Sequence, residues 1–226
     1  APLQGRAEGL LPTVLDPFGG SQHAPRRTWV EQRTWPVVLQ RYDQGCGPAA
    51  LATILRFLFD ADVTEEELVQ EMLLEKVAAG TTGSGFTFRD LMGALERRGY
   101  ETLAGRAPLE ELVKLALPAI VLVERREVRH FVVLWGVVED RVHLGDPLIG
   151  NTTVPLTQFA REWLGVLLIV LPPHQQVDTA AQRVKNHLHY MEQLSLHRAD
   201  PFGLTFPHRS LVSEGASLLV PQPGEF

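Results

Sequence analysis

The sequence predicts an α+β fold, with helices in its first half and an antiparallel sheet in its second. Two observations carry this expectation. Apolar residues recur at helical spacing from about residue 46 to 115, and from Pro118 onward short apolar runs replace them. The links between those runs are too short for helical crossovers, so neighbouring strands are expected to run antiparallel.

Each element has its own signal. Residues 1–36 carry Pro2, Pro12, Pro17, Pro25 and Pro36 with the turn Gly19-Gly20-Ser21, a density of breakers that predicts an irregular extension. Val37-Val38-Leu39 reads as a short extended lead-in. The Gly45–Pro48 turn then starts a helix running to about Phe59, with Ala50, Leu51, Ile54, Leu55 and Leu58 on its inner side. Thr64-Glu65-Glu66-Glu67 fits a capping box and opens a second helix, its three glutamates read as a solvated first turn. The loop Gly80–Gly85 lacks the lysine and the strand–loop–helix setting of a phosphate loop and reads as the flexible edge of a cleft. A third helix follows from about Thr87, with Leu91, Met92 and Leu95 inward, and stops at Arg97-Arg98-Gly99. A fourth is expected over about Leu109–Leu115.

Strands are expected at 119–123, 130–137, 141–144 and 166–170, with a helical turn at Gln158–Trp163 before the last. After Pro172-Pro173 one amphipathic helix, about Thr179–Leu196, leads into a poorly anchored tail. The organisation expected is therefore an extension (1–36), one folded domain (37–173) and a C-terminal helix with a flexible tail (174–226).

Composition narrows the function classes. With 226 residues, 45% of them hydrophobic and 21% charged, the chain can bury a real core. A net charge of −6 argues against a general nucleic-acid binder. The longest apolar run, Val166–Leu171, is strand length and far short of the roughly 20 residues of a membrane helix, so no membrane span is expected. A first residue of alanine is what signal-peptide cleavage leaves, and a periplasmic or otherwise exported location is the expectation.

The single cysteine, Cys46, sits in Gln44-Gly45-Cys46-Gly47-Pro48 at a helix start. Free N–H groups and the helix dipole there favour a thiolate, the nucleophilic form. One cysteine cannot close an intramolecular disulfide, which leaves a packing residue, a nucleophile or an intermolecular partner. A nucleophile needs a base, and the base an orienting acceptor. Of eight histidines, His130 is best placed, because it opens an apolar strand of the sheet half while Cys46 opens a helix of the helical half. Asp146, in Leu144-Gly145-Asp146-Pro147, ends the following strand, and in an antiparallel pair that end lies beside the start of the first. Gln40, six residues before the cysteine, is placed to offer an amide N–H to a developing oxyanion alongside the Cys46 backbone N–H. His143 is the lesser candidate for the base, since it falls in mid-strand. His187 and His189 lie about 200° apart on their helix and cannot readily share an ion, so with His197 they read as solvated histidines.

The order Gln40, Cys46-Gly47-Pro48-Ala49, His130-Phe131-Val132-Val133, Asp146-Pro147 resembles the C39 family of papain-like, bacteriocin-processing or double-glycine peptidases. Gly85–Gly99 and Pro118-Ala119-Ile120 are also similar, and the likeness covers about Gln40–Leu171. One departure is Gly45, where the family most often has aspartate. The resemblance implies a papain-like fold and a cysteine peptidase with Cys46 as nucleophile, His130 as general base, Asp146 as orienter and Gln40 as oxyanion donor, needing no cofactor or metal. It also implies cleavage after small residues such as glycine, and a peptide or protein substrate that is itself exported.

Because the chain carries no nucleotide-binding motif and no membrane span, it is similar to stand-alone members of the kind found in functional-amyloid secretion operons, where secretion components would be its partners. Two alternatives stay open: a catalytically silent domain of this family that binds export substrates, and an acyltransferase with the same triad.

Overall fold

A computed structural model describes residues 29–81, 83, 85–173 and 176–199. The short helix α1 (Trp29–Thr34) comes first, inside the stretch expected to be irregular. It packs against the sheet edge, so this part of the extension is ordered. Residues 1–28, and the tail beyond residue 199, lie outside the described residues.

Helix α2 (Cys46–Phe59) is the centre of the fold. It is buried on almost every side from Gly47 to Leu58, only Arg56 being fully exposed within that span, as an all-round apolar helix must be. Helix α3 (Glu65–Ala78) and helix α4 (Phe88–Arg97) flank it. Both begin with a reciprocal capping box, Thr64 with Glu67 and Thr87 with Asp90, which satisfies N–H groups that the first turn leaves without intrahelical partners.

The remaining elements are β1 (Glu101–Arg106), α5 (Leu109–Leu112), β2 (Ala119–Arg125), β3 (Val128–Val138), β4 (Arg141–Asp146), β5 (Gly150–Pro155), α6 (Leu156–Glu162), β6 (Trp163–Leu171) and α7 (Val177–Ala199). The strands form one antiparallel sheet in the order β1-β6-β2-β3-β4-β5. Alternation along β2 and β3 divides the core. Ile120, Phe131, Val133 and Trp135 face the helical layer, whereas Val121, Val123, Val132 and Leu134 pack with Phe159 of α6 and Leu112 of α5. Among the described residues no helix is long and apolar enough to cross a membrane.

The fold is α+β as expected, and the two strands that escape the sequence pattern are the outermost ones, β1 and β5. Each pairs with a single neighbour, and their residues (Glu-Thr-Leu-Ala-Gly-Arg and Gly-Asn-Thr-Thr-Val-Pro) are polar enough to read as loop. The tight β2–β3 hairpin turns through Arg126 and Glu127, both at positive φ (51° and 66°), without a glycine to announce it.

Helix α7 crosses back over α2 and β3. Arg183 donates to the carbonyl of Phe57 at 2.9 Å and to Asp60 at 2.6 Å, fastening α7 to the C-terminal end of α2. One expectation on α7 is corrected. His187 is fully buried, its ring 4.5 Å from that of Trp135 and edge-on to Trp35, while His189 is exposed. The helix presents its 187 position to the aromatic cluster because Ala180, Val184 and Met191 share that face at helical spacing. The side chain of His197 lies outside the described residues.

Candidate active site

Cys46 is the first residue of α2, and Gly45 before it supplies no side-chain cap. The N–H groups of that first turn therefore remain available to a negative charge. The thiol is free and half-buried. Burial alone would push it up. The hydrogen bond to the His130 ring, backbone hydrogen bonds from Phe131 and Gly47, and the charge of His130 outweigh that and hold the thiol below its ordinary value.

The sheet brings His130 and Asp146 together. The β3–β4 register pairs Val133 with Gly145, which sets Asp146 on the diagonal from His130. His130 Nε2 lies 2.7 Å from Asp146 Oδ1, leaving Nδ1 for the thiol. Burial disfavours the charged ring, yet the Asp146 hydrogen bond, the Cys46 hydrogen bond and both charges lift His130 to about 9. Asp146 is 2% exposed. Its burial is outweighed by hydrogen bonds from His130 and from the Leu148 backbone N–H at 2.9 Å, and by the charges of His130 and Arg125, so its carboxyl sits below the ordinary range. Cys46, His130 and Asp146 thus form one hydrogen-bonded chain in which each group is shifted toward its charged form, thiolate, imidazolium and carboxylate.

Gln40 is held on the same rim. Its backbone N–H donates to the carbonyl of Pro147 at 2.8 Å, next to Asp146, and its side-chain Nε2 donates to the carbonyl of Tyr42 at 3.1 Å. One of its two amide hydrogens is therefore engaged within the turn. His143 is buried in β4, with Nδ1 3.1 Å from Thr153 Oγ1, and burial followed by the charge of Arg141 pushes it down to about 4. Its ring is engaged on β5, and it is His130 that bonds both the thiol and Asp146.

Two residues at the site were not anticipated. Arg125 bridges Asp146 Oδ2 (3.1 Å) and Glu162 (2.6 Å), and Gln158 donates to Glu162 in turn. No local signal marks it, because a charged residue at a strand end is usually solvated. Glu65, expected in a solvated turn with Glu66 and Glu67, is instead 5% exposed and accepts the Arg41 backbone N–H at 2.8 Å. A signal did exist there: Glu65 is in helical phase with the buried Leu68, Val69 and Met72.

The loop before α4 lies beside the cysteine turn. A Cβ at Gly85 would stand 3.1 Å from Gln44 Oε1, and Lys76 ties the loop down through the carbonyls of Gly83 (2.9 Å) and Gly85 (2.5 Å).

Several proteins similar to this chain are described as proteases. The chain is 35% identical over 155 residues to the "Probable functional amyloid protease FapD" of Pseudomonas aeruginosa, covering 69% of each protein. It is 36% identical over 141 residues to the protein of the same description from Pseudomonas fluorescens, covering 62% of each. Among solved structures, a double glycine motif protease from an AMS/PCAT transporter, crystallised with the leader peptide, superposes with a TM-score of 0.51 at 28% identity over 61% of this chain and 91% of that one. The sequence profile of the peptidase C39 family matches residues 34–175, a span that encloses the cysteine turn, the whole sheet and the Asp146 turn, so the α+β fold is the papain-like one and the chain belongs to the peptidase C39 family.

Proposed function

We propose that this chain is a cysteine peptidase that cleaves an exported protein or its leader after small residues such as glycine. The observation that carries the reading is the hydrogen-bonded chain from Cys46 through His130 to Asp146 at the N-terminus of α2. The Cys46 thiolate adds to the scissile carbonyl, and the resulting oxyanion is met by the Cys46 backbone N–H and the Gln40 amide. Gln40 serves with its second hydrogen or after leaving the Tyr42 carbonyl. Collapse of the adduct breaks the C–N bond, the amine departs with the proton of the His130 imidazolium, and an acyl-enzyme remains. His130, now neutral, takes a proton from water, whose oxygen attacks the thioester. The second adduct collapses with the thiolate as leaving group, so the carboxylic acid departs and loses its proton to solvent while the starting thiolate–imidazolium pair is restored. Asp146 keeps the ring oriented and stabilises its cationic form.

The names of the relatives support a substrate of secretion, because one is a probable functional amyloid protease and the other a protease solved with a leader peptide. An exported location and a role in amyloid secretion belong to the same proposal.

The test is iodoacetamide alkylation of Cys46 against pH, in the parent protein and in His130→Ala, followed by incubation with peptides carrying Gly-Gly before the scissile bond. Reaction with an apparent pKa well below the roughly 8.5 of a free thiol, raised in His130→Ala, supports the activated pair. A thiol that titrates like a free one in both proteins overturns it.

A further inference from the structure

The geometry points to Glu65 as a positioning residue that fixes both donors to the oxyanion, an inference that rests on the peptidase reading above. Glu65 is the first residue of α3, yet its carboxylate is turned inward onto the Gln40–Cys46 turn. A carboxylate taken out of water is costly unless hydrogen-bonded, so its partners identify what it holds. Both oxygens accept the Arg41 backbone N–H, at 2.8 and 3.1 Å. That N–H belongs to the peptide plane joining Gln40 to Arg41. On its other side, Gln40 is anchored by its own N–H to the Pro147 carbonyl at 2.8 Å. The two bonds fix the backbone of Gln40 from both directions, and with it the direction in which the amide side chain leaves the chain.

The same carboxylate reaches the other end of the turn. Gly45 has φ −80° and ψ 1°, a conformation open to any residue, and its N–H closes the turn on the Tyr42 carbonyl at 2.9 Å. A side chain at Gly45 is accepted only if the Glu65 carboxylate gives way, because a Cβ there would overlap Glu65 Oε1. Glycine stands at this position for space. The carboxylate thus packs against the residue whose carbonyl carbon begins the Gly45–Cys46 peptide, the plane that contains the Cys46 N–H. Glu65 braces Gln40 and the Cys46 amide, and it makes no direct contribution to the thiolate, whose hydrogen bonds come from His130, Phe131 and Gly47.

That division gives a selective readout. Alkylation by iodoacetamide needs the thiolate and no oxyanion site, whereas acylation by the p-nitrophenyl ester of N-acetylglycine needs both. Glu65→Ala is expected to slow acylation about tenfold or more while alkylation stays within about twofold, and Glu65→Gln, which keeps an acceptor for Arg41, to recover most of the loss. Gly45→Ala tests the same contact without touching Glu65 and carries the experiment if Glu65→Ala does not fold. It should produce the same selective loss, with no further loss on adding Glu65→Ala, because each change removes one shared contact. Acylation unchanged in both single variants, or alkylation and acylation falling together, overturns the assignment. A parent protein that is alkylated but not acylated overturns the peptidase reading instead, which keeps the two failures apart.

Discussion

Arg125 Nη1 lies 3.1 Å from Asp146 Oδ2, on the carboxylate oxygen that His130 does not use. The guanidinium fork divides its donors between Asp146 and Glu162, so the orienting carboxylate is itself held by an ion pair behind it. A lysine has charge but no fork, and it cannot reproduce both contacts. Arg125→Lys is expected to keep the pH profile of Cys46 alkylation while lowering acylation, since Asp146 stays charged but less well fixed. Arg125→Met should cost about 2 kcal/mol in urea unfolding, discounted from a fully buried pair because Arg125 is partly exposed.

The Cys46–His130 pair makes reactivity bell-shaped in pH. The thiolate forms as pH rises through the lowered Cys46 value, and the imidazolium is lost as pH rises through about 9. Acylation should therefore fall on the alkaline side near pH 9. In Asp146→Asn the alkaline limb should move to lower pH, because His130 loses the partner that raises it, and the maximal rate should drop roughly a hundredfold. An unmoved limb would show that another group sets it.

His187 and His143 predict acid lability. Burial pushes His187 down to about 3, with a further push from His143, and burial pushes His143 down to about 4, with Arg141 adding to it. A base whose folded value is depressed contributes nothing to pH dependence above its unfolded value near 6.5, and it destabilises the fold progressively as pH falls from there toward the folded value. Between pH 6.5 and 5 each should remove about 2 kcal/mol. His187→Phe keeps a ring against Trp35, Phe57 and Trp135 and removes the titrating group. Urea unfolding at the two pH values should show its loss roughly halved.

Asn151 ties the sheet edge to the segment before α2. Its Oδ1 accepts from Trp135 Nε1 at 3.1 Å and its Nδ2 donates to the Trp35 carbonyl at 2.6 Å. Asn151→Ala takes from the buried Trp135 indole N–H its acceptor and removes the bond to the Trp35 carbonyl, and should cost about 2–4 kcal/mol by chemical denaturation. A cost under about 1 kcal/mol would mean that neither group is truly desolvated.

Local signals along the chain determined the class of fold, the capped start of α3, the start of α4 near Thr87 and the four inner strands, because each element carries its own pattern. Antiparallel pairing alone brought His130 beside Asp146, since the start of one strand must adjoin the end of the next. Only the tertiary structure placed β1 and β5, whose stability comes from a neighbour's ladder and not from their own apolar content. It alone placed Arg125 behind Asp146, turned Glu65 onto Gly45 and sealed His187 among aromatic rings. In each of those cases the charge or polarity that suggests solvent is overruled by a partner far away in sequence, and a one-dimensional pattern carries no record of that partner.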